Sequence, residues 1–405
     1  MRGISSGAGK SFNASSANRP MTSSEYSSHP PRTLLLISPV AERGGAETVL
    51  LTLIRGLDRT RFEPIFVFLK NGPFVEEVSS TGIETVVISV RRARYLYETF
   101  NAILVIRRLI QKRQVALVFG NMAMGHLYGG LAALGTGAKV LWFQHGMVTH
   151  PDLLDRLAHY VPSNHIYVNS HATAARETAR LSRHCEVIYP GVDLHRFAKS
   201  LCTYGAARAE FGIPPSAPAV ISVARFQRWK GHEVLLEAAR LIRGHGVDAH
   251  FVLVGDTLAG LEPSYREVLV RRCADLGLEK AVHFVGFRDD LPRLLRDADV
   301  LAHSPILPEA FGLVLVEAMA MELPVVASRG GGPEEIVVDG ETGYLVTTGD
   351  HKELAERILD LLANPGRRVA MGKAGRRRAE ELFSARQMIL RFEESFERVV
   401  ADGSR

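Results

Sequence analysis

Two glutamates flank a short apolar segment, PEAFGLVLVEAMA, whose residue types could bind an anion. Glu309 lies near the start of this segment, Phe311 and Gly312 follow it, and Glu317 lies further along. The spacing of the apolar residues predicts a helix that starts near Gly312. Unpaired backbone N–H groups at a helix start favour an anion, and a glycine there lets a ligand approach the backbone closely. We therefore predict an anion site between two carboxylates.

The two carboxylates indicate that the ligand carries hydroxyl groups as well as phosphate. Glu317 lies about 7–8 Å along the helix from Gly312, at about 1.5 Å per residue, which matches the separation of phosphate and ribose in a nucleotide. Glu309 can accept hydrogen bonds from hydroxyls on the other side. Solvated charges at a helix start are the alternative for such a pair. The apolar spacer and the glycine turn in GGGPEEIV, which opens a further helix, favour the ligand.

Arg225 and Lys230 form a second suggestive pair, in the segment SVARFQRWKGH. Arg225 follows an apolar run typical of a strand, and Lys230 opens a helical pattern. A guanidinium and an ammonium group on one loop can neutralise a departing diphosphate. Two exposed basic residues are an equally good interpretation of this loop in isolation. If the loop faces the predicted anion site, the binding role becomes the better one.

The elements that must position these residues follow an alternating pattern. Longer segments with helical spacing lie between short apolar runs, which predicts βαβ units and doubly wound parallel sheets, an α/β fold. A Pro- and Gly-rich region near residues 189–218 separates two such halves. Ligands of this architecture bind in a cleft at the carboxyl ends of the strands. The predicted strands are 33–39, 64–69, 84–90, 115–120, 138–144, 165–170, 219–225, 249–255, 281–287, 298–304 and 324–328.

The same pattern predicts the domain organisation. Residues 1–31 are rich in Ser, Gly, Ala and Asn, which predicts a disordered segment, and Met21 is a candidate alternative start. We expect an N-terminal Rossmann-like domain over residues 32–205 and a C-terminal one over residues 206–383. Residues 384–405 carry one amphipathic helical pattern, which we expect to pack back on the N-terminal domain.

Composition excludes several classes of protein. Hydrophobic residues make up 46% and charged residues 23%, as in an ordinary globular protein. The 49 basic and 44 acidic residues give a net charge of +5, a mild excess that favours anionic ligands. We expect no nucleic-acid partner, because basic and aromatic residues are not interleaved. Three scattered cysteines and the lack of a long apolar run predict a cytoplasmic protein in a reducing compartment.

Three other segments could suggest chemistry. GAGKS at residues 7–11 lacks the glycine spacing and preceding strand of a phosphate-binding loop. The DAD segment at 297–299 matches an acidic metal-binding signature, but it follows a helical pattern directly, so we expect solvated charges and no metal site. Residues 90–113, rich in arginine with Tyr97 and Phe100, have two interpretations: an ordinary surface helix, or a peripheral contact with an anionic membrane.

Taken together, the motifs resemble the retaining glycosyltransferases of family 4, the group 1 family with the GT-B fold. The similarity runs from about Thr33 to the C-terminus and is densest over residues 219–350. It implies two Rossmann-like domains facing across a cleft, with the acceptor bound by the N-terminal domain and a nucleotide sugar by the C-terminal one. The motifs that carry the resemblance are AFGLVLVEAMA after Glu309, GGGPEEIV, DGETGYLV, VARFQRWKGH and YPGVDLHRF.

The resemblance also implies roles for individual residues of the C-terminal half. Arg225 and Lys230 would hold the diphosphate, Glu317 the ribose and Glu309 the transferred sugar. Backbone groups around the helix start, and the turn that meets the base, would complete the donor site. These further donor-binding residues are Phe311, Gly312, Leu313, Gly286 and Phe287.

Two positions in the N-terminal half gain a role only through the resemblance. Gly44 and Gly45, in RGGAETVLLTLI, would lie near the donor phosphates and the acceptor. His145, in WFQHG, follows a strand and would lie near the reacting sugar. Taken alone, both features favour a structural role. With the other residues, they predict transfer of a sugar between two domains.

The expected activity is therefore transfer of a sugar from a nucleoside diphosphate sugar to an acceptor hydroxyl with retained anomeric configuration. The resemblance implies no metal and no cofactor apart from the nucleotide sugar as co-substrate. The acceptor would be a glycan, a glycolipid or a small molecule. Two alternatives stay open: a nucleotide-sugar epimerase of the same fold, and a catalytically silent nucleotide-sugar-binding protein.

Overall fold

A computed structural model describes residues 30–90, 96–146, 153–176, 185–257, 262 and 264–402. The predicted disordered segment, residues 1–31, falls almost entirely outside these ranges, as does the GAGKS segment. Within them the chain forms two parallel sheets with helices around them, and this confirms the predicted α/β fold class.

The first sheet has seven strands in the described residues, in the order β3-β2-β1-β4-β5-β6-β7. Neighbouring strands pair in parallel throughout. The strands are β1 Arg32–Ser38, β2 Phe62–Phe68, β3 Glu84–Val87, β4 Leu117–Asn121, β5 Lys139–Gln144, β6 His165–Val168 and β7 Cys185–Val187. The helices of this half are α1 Gly45–Gly56, α2 Pro73–Ser79, α3 Leu96–Lys112, α4 Met122–Ala133, α5 Leu153–Ala158 and α6 His171–Arg176.

The second sheet has six strands in the same described residues, in the order β10-β9-β8-β11-β12-β13, again parallel. The strands are β8 Ala219–Val223, β9 His250–Val254, β10 Val282–Gly286, β11 Val300–His303, β12 Val325–Ser328 and β13 Gly343–Val346. The helices are α7 Ala206–Glu210, α8 His232–Gly244, α9 Tyr265–Asp275, α10 Leu291–Asp297, α11 Leu313–Ala320, α12 Pro333–Ile336, α13 His351–Ala363, α14 Pro365–Leu382 and α15 Ala385–Ala401.

Both sheets reverse their strand order beside their first strand, between β1 and β4 and between β8 and β11. Loops that leave the two strands at such a point run to opposite faces of the sheet, so a crevice opens at their carboxyl ends. The central strands are fully buried because helices cover both faces, and Leu34–Ile37 of β1 have no exposed surface. The residues predicted to do chemistry lie at or after the carboxyl ends of β1, β5, β8, β10 and β11.

The last helix, α15, packs on the first sheet although its sequence follows the second. Phe392 and Phe396 are fully buried, and both rings lie edge-on to Phe119 of β4 at 5.8 Å between centroids. Arg61 binds Glu393 of the helix at 2.8 Å. The chain returns to the first sheet between α14 and α15, where it passes Val192. The backbone of Val192 donates to Phe383 O and accepts from Ala385 N, both at 2.9 Å.

The prediction of solvated charges in the DAD segment was wrong. Asp297 is 3% exposed and ends α10, where its carboxylate accepts hydrogen bonds of 2.7 Å from the backbone N–H groups of Gly205 and Ala207. Asp299 accepts a hydrogen bond of 2.9 Å from Arg208, itself buried. These carboxylates therefore fix the start of α7 to the second sheet, a tertiary contact that local spacing does not encode.

None of the helices in the described ranges combines the length and the apolar character that crossing a bilayer requires. Within the described residues, Cys185, Cys202 and Cys273 form no disulfide bond.

Candidate functional site

The start of α11 lies between two glycine turns that require glycine. Gly312 precedes the helix with φ of +100°, a left-handed conformation that residues with a Cβ rarely adopt. Gly332 packs against the loop before the helix, and a Cβ there would lie 2.3 Å from the Cα of Phe311. The loop and the second turn are joined by hydrogen bonds from Glu309 N to Gly330 O at 3.0 Å and from Gly332 N to Glu309 O at 2.9 Å. The backbone at the helix start is therefore held in place.

Lys230 and Glu309 form an ion pair beside this helix start. Their side chains are only 13% and 14% exposed, so water screens the pair little. The position that a Cβ on Gly312 would take lies 3.8 Å from Cγ of Glu309, which places the carboxylate next to the helix start. Two predicted site residues, far apart in sequence, thus meet at the carboxyl ends of neighbouring strands.

The loop that carries Lys230 is fastened to the end of β11. Ser304 Oγ donates to Gly231 O at 3.0 Å, and Ile306 N donates to Trp229 O at 2.8 Å. Gly231 has φ of +66°, and a Cβ there would collide with Ser304 O at 1.8 Å. Only glycine therefore allows this close approach, which brings the ammonium group to the carboxylate.

The electrostatics of the pair keep the carboxylate ionised. Burial acts to raise the pKa of Glu309, but Lys230 and His303 outweigh it and hold the pKa at about 2. Burial lowers the pKa of Lys230, and the charge of Glu309 opposes that shift. An ammonium and a carboxylate in this position can interact with an anion and with hydroxyl groups respectively.

Glu317, one and a half turns into α11, lies in a different environment. Burial raises its pKa to about 7, against the opposing charges of Arg196 and Arg43. Both arginines contact the loop after β10: Arg196 donates to Asp289 O at 2.8 Å, and Arg43 binds the Asp289 carboxylate at 3.2 Å. At neutral pH the carboxyl of Glu317 can therefore accept or donate a hydrogen bond.

Gly44 and Gly45 begin α1 at the carboxyl end of β1, with Gly44 as the N-cap residue. Glu47, in the first turn, is 3% exposed, and its Oε1 has no hydrogen-bond partner among the described residues. Burial raises the pKa of Glu47 to about 7, while the charge of Arg225 acts in the opposite direction. Because Arg225 follows β8 of the second sheet, this electrostatic contact joins the two halves across the cleft.

His145 follows β5 and is 9% exposed. Burial lowers its pKa to about 3, so the imidazole is neutral at neutral pH. Its Nε2 lacks a partner in the described part of the chain, and its backbone oxygen accepts a hydrogen bond of 2.9 Å from Asn169. A neutral ring and a fixed carbonyl can both face a polar ligand without adding charge.

The two halves also touch directly beside the helix start. Ser170, after β6, donates from Oγ to Ala310 O at 2.6 Å. The carboxylate of Glu335 in α12 accepts the backbone N–H groups of His171 at 2.9 Å and Ala172 at 2.7 Å. The loop that contains Glu309 is therefore in contact with the N-terminal half.

The structure does not bring every predicted residue to one point. Gly286 ends β10 and Phe287 follows it, and β9 and β8 separate this edge strand from β11. Gly286 has φ of +70° and accepts a backbone hydrogen bond from Gly255 at 2.9 Å, and Phe287 is 59% exposed. Phe311 is buried and stacks near Tyr189 at 5.9 Å between centroids, so its ring serves packing. Leu313 is the first residue of α11.

Sequence reasoning missed four residues that the structure places around the site: Glu47, Arg43, His303 and Glu335. His303 ends strand β11 and Glu47 lies in the first turn of the helix that follows β1, positions that could have marked them. Arg43 and Glu335 are recognisable only from contacts across the cleft. The described residues contain no group of three or more His, Cys, Asp or Glu side chains placed to hold a metal ion.

Comparison with known sequences matches both halves of the chain to family profiles. Residues 43–196 match the profile described as Glycosyltransferase Family 4, and residues 205–378 match Glycosyl transferases group 1. A D-inositol 3-phosphate glycosyltransferase from Corynebacterium kroppenstedtii is 38% identical over 197 residues, which are 47% of this chain and 43% of the relative.

Other curated relatives carry different names. A GDP-mannose-dependent alpha-(1-6)-phosphatidylinositol monomannoside mannosyltransferase from Mycolicibacterium smegmatis is 35% identical over 199 residues, 47% of this chain and 50% of the relative. An N-acetyl-alpha-D-glucosaminyl L-malate synthase from Bacillus anthracis is 29% identical over 229 residues, 56% of this chain and 57% of the relative. The chain thus matches about half the length of these relatives.

Solved structures share the fold over nearly the whole chain. Anabaena Alr3699/HepE in complex with UDP and glucose has a TM-score of 0.80 at 23% identity, covering 90% of this chain and 99% of that chain. A glycosyltransferase from Rickettsia africae ESF-5 has a TM-score of 0.83 at 22% identity, covering 92% and 99%. At these identities the likeness establishes the architecture, two parallel-sheet domains of the GT-B type.

Proposed function

Because the chain belongs to the glycosyltransferases of group 1 and family 4, we propose that it transfers a sugar from a nucleoside diphosphate sugar to an acceptor hydroxyl, with retention of the anomeric configuration. One observation carries the proposal: the buried Lys230–Glu309 pair beside the helix start at Gly312. A cation, a carboxylate and the backbone N–H groups of a helix start at one point suit a ligand that joins a diphosphate to a polyol.

The C-terminal half would bind the donor. Lys230, Arg225 and the backbone of Gly312 and Leu313 would neutralise the charge that grows on the departing diphosphate, usually the largest contribution to catalysis in such sites. Glu309 would accept hydrogen bonds from hydroxyls of the transferred sugar, and Glu317 from those of the ribose. Phe311 would contribute its backbone. Gly286 and Phe287 would meet the base at the edge of the sheet.

The N-terminal half would bind the acceptor and close over the reacting sugar. Gly44 and Gly45 begin α1, and the N–H groups of a helix start are a suitable contact for a phosphate oxygen. His145 is neutral because it is buried, so its carbonyl and ring would stabilise positive charge on the sugar without repelling it. The acceptor would be a hydroxyl of a glycan, a glycolipid or a small molecule.

In the proposed reaction, the bond between the anomeric carbon and the phosphate oxygen breaks, and the acceptor oxygen bonds to the same face of the sugar. The acceptor proton passes to the departing phosphate oxygen. We assign no carboxylate as a nucleophile, because Glu309 would bind hydroxyls of the sugar and Glu317 lies further along α11. Neutralisation by Lys230 and Arg225 takes the place of a metal ion, so we propose a metal-independent enzyme without a cofactor.

Incubation with UDP-, GDP- and ADP-sugars and a panel of hydroxyl acceptors tests the proposal. We expect free nucleoside diphosphate and glycosylated acceptor in equal amounts from at least one pair, with the anomeric proton of the product showing retention by NMR. An isomerised nucleotide sugar formed without an acceptor would show an epimerase instead. Nucleotide-sugar binding with no turnover against any acceptor would show a silent binding protein.

A further inference from the structure

His303 lies directly beside the Lys230–Glu309 pair, and the proposed reaction leaves it without a role. It is the last residue of β11, and its side chain is 5% exposed. Its Nε2 lies 3.7 Å from Oε2 of Glu309, the same oxygen that Lys230 contacts. Its Nδ1 has no hydrogen-bond partner among the described residues. Among the described residues, the charges that act on the ring are those of the pair, and His232 is a further titratable group close to it.

The position of His303 relative to Lys230 is fixed by the backbone. The hydrogen bonds from Ser304 to Gly231 and from Ile306 to Trp229 join the end of β11 to the loop of Lys230. The position of the imidazole ring is therefore fixed by the backbone around it. The ammonium group, in contrast, ends a flexible side chain that can turn towards a ligand.

The charges determine what the ring can donate. Burial lowers the pKa of His303, with Glu309 opposing and Lys230 reinforcing the shift, so the imidazole is neutral at neutral pH. A neutral imidazole carries one N–H group. The carboxylate of Glu309 stays ionised, and Nε2 faces it, so a proton on Nε2 is the favoured tautomer. A separation of 3.7 Å is slightly longer than a hydrogen bond while Lys230 occupies the same oxygen.

A diphosphate at the helix start would compete with Glu309 for Lys230. Two phosphates carry more charge than one carboxylate, and they would repel the carboxylate as they draw the ammonium group away. The Glu309 side chain is only 14% exposed, and an ionised carboxylate with so little water needs another hydrogen-bond donor. Of the described side chains, His303 is the donor that stays beside this carboxylate once Lys230 has turned away.

We propose that His303 is a positioning residue for the donor sugar: its Nε2–H holds the Glu309 carboxylate towards the sugar hydroxyls once the diphosphate engages Lys230. This inference rests on the proposed function and adds a specific consequence to it. His303 should matter for a nucleotide sugar, which carries the hydroxyls that Glu309 meets. It should matter little for the free nucleotide.

Two substitutions separate this role from simple packing. In His303→Gln the amide nitrogen can occupy about the position of imidazole Nε2. In His303→Asn the shorter side chain places its amide at about the position of Nδ1, which has no partner among the described residues. Binding of UDP-glucose, GDP-mannose and ADP-glucose is measured by calorimetry for the wild type and both variants, with UDP, GDP and ADP as matched probes. Thermal unfolding reports whether each variant is folded.

We expect the Asn variant to bind the nucleotide sugar about tenfold more weakly, the effect of losing a hydrogen bond to a charged group. Its affinity for the free nucleotide should stay within about twofold of the wild type, and the Gln variant should recover most of the loss. Equal loss for both ligands, or equal behaviour of the two variants, would overturn the role of His303 alone. A wild type that binds none of the nucleotide sugars would contradict the proposed function itself.

Discussion

At the residue scale, the central feature is an ion pair with little access to water. Lys230 and Glu309 are each less than one-sixth exposed, so neither charge is well hydrated when its partner is removed. Removing one member of such a pair costs about 3–5 kcal/mol, because the other charge stays buried without a counterion. A single substitution therefore changes stability and chemistry together, and a double substitution is needed to separate them.

We predict different effects of Lys230→Met and Lys230→Met/Glu309→Gln. The single variant should unfold at a lower temperature than the wild type, and the double variant should recover most of that loss because no buried charge is left unpaired. Both should turn over about 10²–10³-fold more slowly, because a charge that stabilises the departing group is gone. Thermal unfolding and initial rates measure the two effects. A double variant with the turnover of the wild type would remove Lys230 and Glu309 from the mechanism.

The raised pKa of Glu317 predicts a dependence of stability on pH. Its pKa is about 7 in the folded protein and near 4.5 ordinarily. Between these values the folded protein retains a proton that the unfolded chain has released, so the free energy of unfolding falls as pH rises. The glutamine in Glu317→Gln does not titrate. The free energy of unfolding of this variant should therefore rise relative to that of the wild type, by about 1–3 kcal/mol in all, as the pH increases from 4.5 to 8.

Chemical denaturation across this range measures the difference, with Glu341→Gln, an exposed position, as the matched control. The control should follow the wild type at every pH. If the stability of the Glu317 variant also runs parallel to that of the wild type at every pH, the pKa of this carboxyl is not raised in the folded protein.

At the residue scale, the sequence predicted which residues belong to the site, but it did not predict which of their side chains contact each other. Glycine at position 312, a carboxylate on either side and two cations on a separate loop were all evident from local spacing. The pairing of Lys230 with Glu309, and the presence of His303 beside them, depend on which strands are neighbours in the sheet. That order follows from the fold as a whole, so local patterns do not reveal it.

At the scale of elements, the contact between α12 and α6 joins the two halves of the molecule. Glu335 accepts two backbone N–H groups at the start of α6 and a hydrogen bond of 2.9 Å from the Tyr189 hydroxyl. Ser170, at the same helix start, binds Ala310 O next to Glu309. The start of α6 therefore contacts the loop that carries Glu309, the proposed sugar-binding carboxylate.

We predict that Glu335→Ala lowers turnover about tenfold, because the charged hydrogen bonds that hold the halves together are lost. Affinity for free nucleoside diphosphate should stay within about twofold, since the proposed nucleotide contacts lie mainly in the C-terminal half. Glu341→Ala, on an exposed turn, is the matched control. Calorimetry and initial rates give both quantities, and equal turnover in the two variants would speak against a role for this contact.

Helix α3 carries the second interpretation left open by the sequence. Tyr97 is 82% and Phe100 62% exposed, which suits insertion into a lipid surface. Two of the basic side chains in residues 90–113 have partners within the protein. Arg107 donates to Ala132 O at 3.3 Å, and Arg113 binds Glu84 at 2.8 Å. The described part of this region therefore offers fewer cations to a membrane than its sequence suggests.

We predict that the protein sediments with phosphatidylglycerol-containing vesicles at low salt and that Tyr97→Ser/Phe100→Ser reduces the bound fraction. Exposed aromatic rings and the remaining basic residues act together in such a contact, and salt should weaken it. Sedimentation assays with phosphatidylcholine vesicles provide the comparison. Equal sedimentation with neutral vesicles would leave α3 as an ordinary surface helix.

The strands show why some elements could be predicted and others not. The eleven predicted strands all occur, because runs such as Leu34–Ile37 are apolar throughout. β7 was missed because Cys185–Val187 is a short edge strand with a half-buried pattern. β13, Gly343–Val346, was missed because it begins with a glycine, which in the sequence indicates a turn. The structure requires glycine there because a Cβ would lie 2.4 Å from Val325 O.

At the scale of the whole molecule, two parallel sheets place their carboxyl edges on one cleft. Contacts across it involve both halves: Arg43 with Asp289, Ser170 with Ala310, and the charge of Arg225 acting on Glu47. Helix α15 returns to the first sheet through Phe392 and Phe396, so the chain crosses between the halves twice. The amphipathic pattern of α15 is evident in the sequence, whereas its partner surface is set by the fold.

The central claim is that the helix start at Gly312, with Lys230, binds the diphosphate of a nucleotide sugar. A crystal structure of the protein soaked with UDP-glucose, GDP-mannose or ADP-glucose, whichever binds in calorimetry, tests it most directly. We predict phosphate oxygens within hydrogen-bond distance of Lys230 Nζ and of the backbone N–H groups after Gly312, with Glu309 released from Lys230 and facing the sugar. A nucleotide bound elsewhere, with the Lys230–Glu309 pair intact, would contradict the account.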